Sequence, residues 1–211
     1  MDLPTFLLTN GLFKIFYILY SYRLLDTTDN IPYEKRGTET RCIADEIPFD
    51  IPDSWAWVRL GEIIKISTGN KDANYGALNG KYDFFTCASI PIKCNGYSFE
   101  GECILLPGNG ANVGLAILYD GKFEAYQRTY VLEKYYNNFN QKYLLFLFSY
   151  NWKKYNSDKM YGSAMPYIKL GNIQEYLVPL PPLAEQKRIV AKIEELLPYV
   201  EEYGKREVEL S

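Results

Sequence analysis

The sequence predicts an α+β protein: a domain built on a mixed, twisted sheet, followed by a long C-terminal helix of coiled-coil type. Two observations predict it. From residue 70 to 175, short alternating apolar runs are separated by glycine turns and interleaved with helical spacing, without the regular rhythm of a parallel βαβ fold. Beyond Pro182 the apolar residues fall into three parallel lines at heptad spacing on an otherwise charged segment.

Taking the elements in order, residues 7–25 form an apolar, aromatic run interrupted by Asn10, Gly11 and Lys14. It falls short of the roughly 20 clean apolar residues a spanning helix needs, so it is expected to pack on the domain or on a partner. Residues 26–53 are polar, with Pro32, Pro48 and Pro52, and are expected to be a linker. Trp55, Trp57, Val58 and Leu60 make an entry strand or turn that fastens the chain to the core, and Leu60–Ile64 begin a short element closed by Gly69. Residues 84–90, 103–107, 115–120 and 129–135 have strand character. Residues 137–156 have helical spacing, and the trailing Lys153 and Lys154 suit the negative end of a helix dipole. Ile168–Ile173 is a second short element before a proline hinge at Pro179, Pro181 and Pro182, expected to interrupt both sheet and helix. The final helix carries Leu183, Ile189, Val190, Ile193, Leu196, Leu197, Val200 and Tyr203 as its apolar interface, and Pro198 is expected to bend it. The expected division is an N-terminal segment and linker over 1–50, a domain over 51–178, and hinge plus helix over 179–211.

Composition limits the chemistry. The 211 residues, 47% of them hydrophobic and 23% charged, suffice for one sizeable core plus an appendage. There are 20 Tyr and no His. Without His the usual general base, metal ligand and Ser/His or Cys/His nucleophile pairs are missing. Cys42, Cys87, Cys94 and Cys103 form no C-x-x-C pair, so no zinc or other metal site is expected, and four reduced thiols point to the cytoplasm. The net charge of −3 is unevenly spread: residues 1–70 carry 7 basic and 10 acidic groups, residues 71–170 carry 11 and 8. The central region is therefore mildly basic between acidic flanks, which permits a nucleic-acid-facing surface.

Four segments could form such a surface. The long polar loop 70–83 offers Lys71, Asn74, Tyr75, Asn79 and Lys81. GNGANVG at 108–114 lacks the Gly-Lys-Ser/Thr ending of a nucleotide-binding loop; it is a tight turn between strands, or a glycine loop whose Asn109 and Asn112 approach a phosphate. AYQRTY at 125–130 offers Tyr126, Gln127 and Arg128: Gln pairs bidentately with adenine, and Arg with guanine or a phosphate. Placed on a strand, Tyr126 and Arg128 face away from Gln127, and Arg128 serves equally as an internal ion pair. YGSAMPYIK at 161–169 offers Tyr161, Ser163 and Lys169 on a loop with Gly and Pro turn chemistry.

PLPPLAEQKRIVAKIEELL at 179–197, together with IPDSWAWVRLGEI at 51–63, GNGANVG, AYQRTYVL and GSAMP, resembles the specificity subunits of type I restriction–modification systems. The resemblance covers Tyr33 to Leu210 and corresponds to one target recognition domain with one conserved spacer helix. It implies a non-catalytic subunit that binds double-stranded DNA, reads half of a bipartite target, and docks the methyltransferase subunit alongside the restriction subunit. S-adenosylmethionine, ATP and magnesium would then sit on those partners, with no cofactor on this chain. Full-length members carry two such units, so the single unit implies either a homodimer through the C-terminal helix or a truncated remnant. A plain interaction or membrane-associated module, anchored through residues 1–30, is the reading from a different class.

Overall fold

The computed structural model describes residues 33–36, 39–135 and 139–209; the apolar run at 7–25 lies outside them. The segment expected to be a linker contains a hairpin, β1 (Tyr33–Arg36) with β2 (Glu39–Cys42), followed by a 3-10 turn at Ala44–Glu46. Charge holds it in place. Arg59, almost fully buried, pairs through Nε with Glu34 at 2.9 Å and through Nη2 with Glu46 at 2.8 Å. Its Nη1 donates to the Glu175 carbonyl at 2.7 Å. A buried guanidinium demands such partners, and they come from segments far apart in sequence.

Arg59 ends β3 (Ala56–Arg59), which pairs antiparallel with β10 (Leu177–Leu180), so the entry and exit of the domain are stitched together. Pro179 thus lies inside a strand, opposite Trp57, rather than interrupting one. This two-stranded ribbon leaves an open edge on β10, where a missing N–H costs nothing.

After the short helix α1 (Leu60–Ile63), β4 (Ile64–Thr68) enters a six-stranded sheet of order β4-β9-β7-β8-β5-β6. Its other strands are β5 (Tyr82–Phe85), β6 (Ile92–Cys94), β7 (Phe99–Pro107), β8 (Ile117–Ala125) and β9 (Thr129–Lys134). The predicted strand at 84–90 ends at Phe85. All pairings are antiparallel except β5 with β8, so the sheet is mixed.

The register requires this sheet to curl. Phe99 pairs with Phe123 and Pro107 with Thr129, so on a flat sheet Ala125 and Thr129 would lie at opposite ends of β7, roughly 30 Å apart. Tyr126–Arg128 connect them, and that length of chain spans at most about 14 Å. The β7–β8 ribbon bends where Gly101 and Gly121 face each other, both at positive φ (102° and 145°), a conformation open to glycine alone without strain. The end of β8 then comes back over the sheet, close enough that the Ala125 carbonyl fills the space of a Gly69 side chain. Phe85, Cys103, Leu105, Phe123, Ala125 and Val131 form a small core inside the curl.

The opposite face, with Ile104, Leu106 and Leu132, packs on helices. Asn140 caps α2 (Gln141–Leu147) by accepting from the Lys142 and Tyr143 N–H groups. The helix widens into a π turn at Phe148–Trp152 and ends in α3 (Lys153–Tyr155), with Phe148, Trp152 and Tyr155 against Tyr176. The short α4 (Leu170–Gln174) precedes β10. The last helix, α5 (Leu183–Glu209), runs on through Pro198.

Ile189, Val190 and Ile193 of α5 are buried in this same core, and Leu196, Leu197 and Val200 pack partly against it. The apolar stripe expected to meet a partner is therefore largely occupied by its own domain, because the β3–β10 ribbon sets the helix beside α2. Leu183 is half-buried, and the Tyr203 side chain lies outside the described side chains. Among the described residues no helix is long and apolar enough to cross a membrane, and no group of acidic, Cys or His side chains could hold a metal ion.

Candidate nucleic-acid interface

AYQRTY forms a tight turn rather than a strand. The Thr129 N–H donates to the Tyr126 carbonyl at 2.8 Å, closing the link between β8 and β9. Gln127 and Arg128 stand exposed at its tip, while Tyr126 is half-buried. The alternation that would have set Gln127 and Arg128 on opposite faces does not apply, because the curl leaves no room for more strand here.

This turn gathers the other loops. The Gln127 N–H donates to the Lys71 carbonyl at 3.0 Å, and Gln127 Nε2 to Asp72 Oδ1 at 3.1 Å. The Arg128 carbonyl accepts from the Gly108 N–H at 2.9 Å. Gly108 and Gly110 in turn bond to Ile168 and Pro166. The 161–167 loop closes on itself through paired Tyr161–Tyr167 backbone bonds at 2.9 Å, with the two rings stacked 5.4 Å apart. Lys71, Gln127, Arg128, Asn109, Asn112, Tyr161, Ser163 and Lys169 thus belong to one continuous loop strip. Gly114 adds Lys153, whose aliphatic chain would meet a Cβ at that position at 3.0 Å.

Several members have structural partners. Asn112 Nδ2 donates to the Cys87 carbonyl at 2.8 Å, and Asn109 Nδ2 approaches the Met165 sulfur at 3.8 Å. Burial raises the pKa of the Tyr130 phenol, which donates to the Ile168 carbonyl at 3.3 Å and so pins this loop to β9. Lys71 lies 4.9 Å from the Tyr75 ring centre, and Lys169 lies 3.9 Å from that of Tyr161. Asn74 is exposed in the 3-10 turn Ala73–Tyr75 beside Lys71. Asn79 and Lys81 are carried elsewhere. Their part of the loop runs along β6, where Gly80 packs on the Cys94 backbone and Lys81 approaches Tyr82.

Most described cations outside the strip are ion-paired, with Lys81, Lys154, Lys159 and Lys187 as exceptions. Lys65, Lys93, Lys122, Lys134, Lys142, Arg188 and Lys192 each have a carboxylate partner. Among the described residues, Lys71, Arg128, Lys153 and Lys169 have no carboxylate within ion-pair distance. The sequence reading singled out three of these; Lys153 appeared there only as a helix end, because its approach to Gly114 is a tertiary contact. Asp72 was also missed, since a lone carboxylate in a polar loop carries no sequence signal.

The chain is thus a curled mixed sheet whose loops converge on one strip, with entry and exit joined beside a long helix. Residues 52–209 match the family model for the type I restriction modification DNA specificity domain, and the chain belongs to that family. It is 42% identical over 152 residues to the type I restriction enzyme EcoDI specificity subunit of Escherichia coli, covering 72% of this chain and 33% of that one. The chain therefore spans about a third of the length of that curated relative. The fold is shared with the HsdS subunit from Thermoanaerobacter tengcongensis (TM-score 0.58, 23% identity, 75% of this chain and 41% of that chain). It is also shared with a chain from a structure on complex assembly and conformational transition of the type I R-M system (TM-score 0.64, 19% identity, 97% and 49%).

Proposed function

We propose that this chain reads one half of a bipartite DNA target and docks the methyltransferase subunit that modifies it. The observation that carries the reading is the loop strip, where Lys71, Arg128, Lys153 and Lys169 stand without carboxylate partners. Unpaired cations release counterions when they meet phosphates, while Gln127 and its neighbours supply donors and acceptors for base edges. Residues 51–178 act as the target recognition domain and 179–211 as hinge and spacer. The outer part of α5, with Leu197, Val200 and the two-thirds exposed Tyr199, faces the methyltransferase subunit or a second copy of the chain. The chain itself is non-catalytic and works in the cytoplasm. S-adenosylmethionine, ATP and magnesium belong to the methyltransferase and restriction subunits.

The test is DNA binding by the complex with its cognate methyltransferase subunit, measured from 50 to 200 mM salt. Replacing Lys71, Arg128 and Lys153 together by Ala should weaken binding across all sequences and flatten the salt slope by roughly two to three. An unchanged slope would place the DNA elsewhere and overturn the reading.

A further inference from the structure

We propose that Asp72 is a positioning residue that locks the Gln127 amide so as to select an adenine edge at one position of the half-site. The proposal rests on the loop strip facing DNA. It starts from the 3.1 Å hydrogen bond between Gln127 Nε2 and Asp72 Oδ1. An ionised carboxylate only accepts, so the amide nitrogen must face Asp72 and Oε1 must point away from it. A free glutamine presents either orientation; this one presents a single orientation. Its backbone is held as well, by the N–H bond to Lys71.

What remains available on Gln127 is one N–H beside one oxygen. Adenine offers the matching pair in the major groove, an N7 acceptor next to an N6 donor. Guanine offers two acceptors there, so one of them must face the outward oxygen with no proton between them. The fixed amide therefore accepts one purine and rejects the other.

Asp72 has no other visible employment. It precedes the 3-10 turn Ala73–Tyr75, yet its side chain makes no capping hydrogen bond. Among the described residues it pairs with no cation, although Lys71 is its neighbour. A carboxylate beside a phosphate-binding strip opposes DNA binding, so its contribution must be selective rather than attractive.

The test is methylation of a randomised DNA library by the complex with its methyltransferase subunit, read by sequencing. Asp72→Ala should relax one position of the target, lowering its adenine preference about 10-fold, with non-specific affinity unchanged or slightly raised. Asp72→Asn is the sharper variant. Asn caps a turn as well as Asp does but can also donate, so it admits both amide orientations and should relax the same position. Gln127→Ala should relax that position too, and the double variant should be no more relaxed than Gln127→Ala alone. If Gln127→Ala relaxes a position that both Asp72 variants preserve, the role of Asp72 is overturned while DNA reading stands. If Gln127→Ala changes no position, the assignment of Gln127 falls and the Asp72 proposal falls with it. An unchanged salt slope in the triple cation variant separately overturns the strip itself.

Discussion

Gln186 Oε1 accepts the Asn140 N–H at 2.9 Å, tying the first turn of α5 to the cap of α2. Its Nε2 donates to the Pro181 carbonyl at 2.9 Å, so one buried amide sets both the hinge and the helix beyond it. Tyr143 completes the arrangement by donating to the Pro179 carbonyl at 2.6 Å. The prolines do not act as a free joint: their carbonyls are held, and α5 leaves the domain in one direction.

Gln186→Ala is expected to leave the part-buried Asn140 N–H and the buried Pro181 carbonyl without these partners. The loss should be about 2–3 kcal/mol of domain stability. Urea unfolding measures it, and a midpoint equal to the parent protein's would show that the hinge is held by packing alone.

Two substitutions one helical turn apart on α5 should behave differently. Ile193 has no exposed surface in the described structure, so Ile193→Asp buries an unpaired charge and should prevent folding of the domain. Leu197 is half-buried at the rim of the same core. Leu197→Asp should leave a folded domain, seen by circular dichroism, that no longer co-purifies with the methyltransferase subunit. Retained co-purification would move the docking surface off this part of α5.

The Asp83 site should give stability a pH window. Asp83 accepts from Lys93 Nζ and from the Tyr119 hydroxyl, both at 2.8 Å. The Lys93 bond leads in holding its carboxyl below the usual range; burial opposes this, and the Tyr119 bond adds to it. A depressed acid contributes stability above its unfolded pKa, and this is lost as pH falls below about 4. Tyr119 is pushed up to about 12, first by burial and then by the bond to Asp83 and its charge. A raised phenol contributes fully below about pH 10, and this contribution is lost as pH rises toward 12. Asp83→Asn should therefore lower the urea midpoint at pH 7 and flatten its dependence at both extremes. Unchanged acid and alkaline limbs would show that other groups set them.

Much of the chain declares itself locally. The core of β7 at Cys103–Pro107 and all of β9 alternate or cluster as strands must, and Tyr143, Leu144, Leu147 and Phe148 keep helical spacing because one face of α2 meets the sheet. AYQRTY misleads because its alternation mimics a strand. The turn there follows from sheet closure between Gly101–Gly121 and Gly69, a relation among three distant segments. The 33–46 hairpin looks like linker because it is polar, and its partner, Arg59, cannot be seen from the segment itself.

By itself the sequence determined the α+β class, the final helix, the family and three of the strip's four unpaired cations, because those depend on periodicity, composition and residue order within short windows. Tertiary structure alone decided that Ile189, Val190 and Ile193 belong to the domain's own core, that Lys153 joins the strip, that Asn79 and Lys81 leave it, and that Asp72 faces Gln127. Periodicity states that a face is apolar without naming what covers it, and a loop's residues meet only where the curl of the sheet carries them.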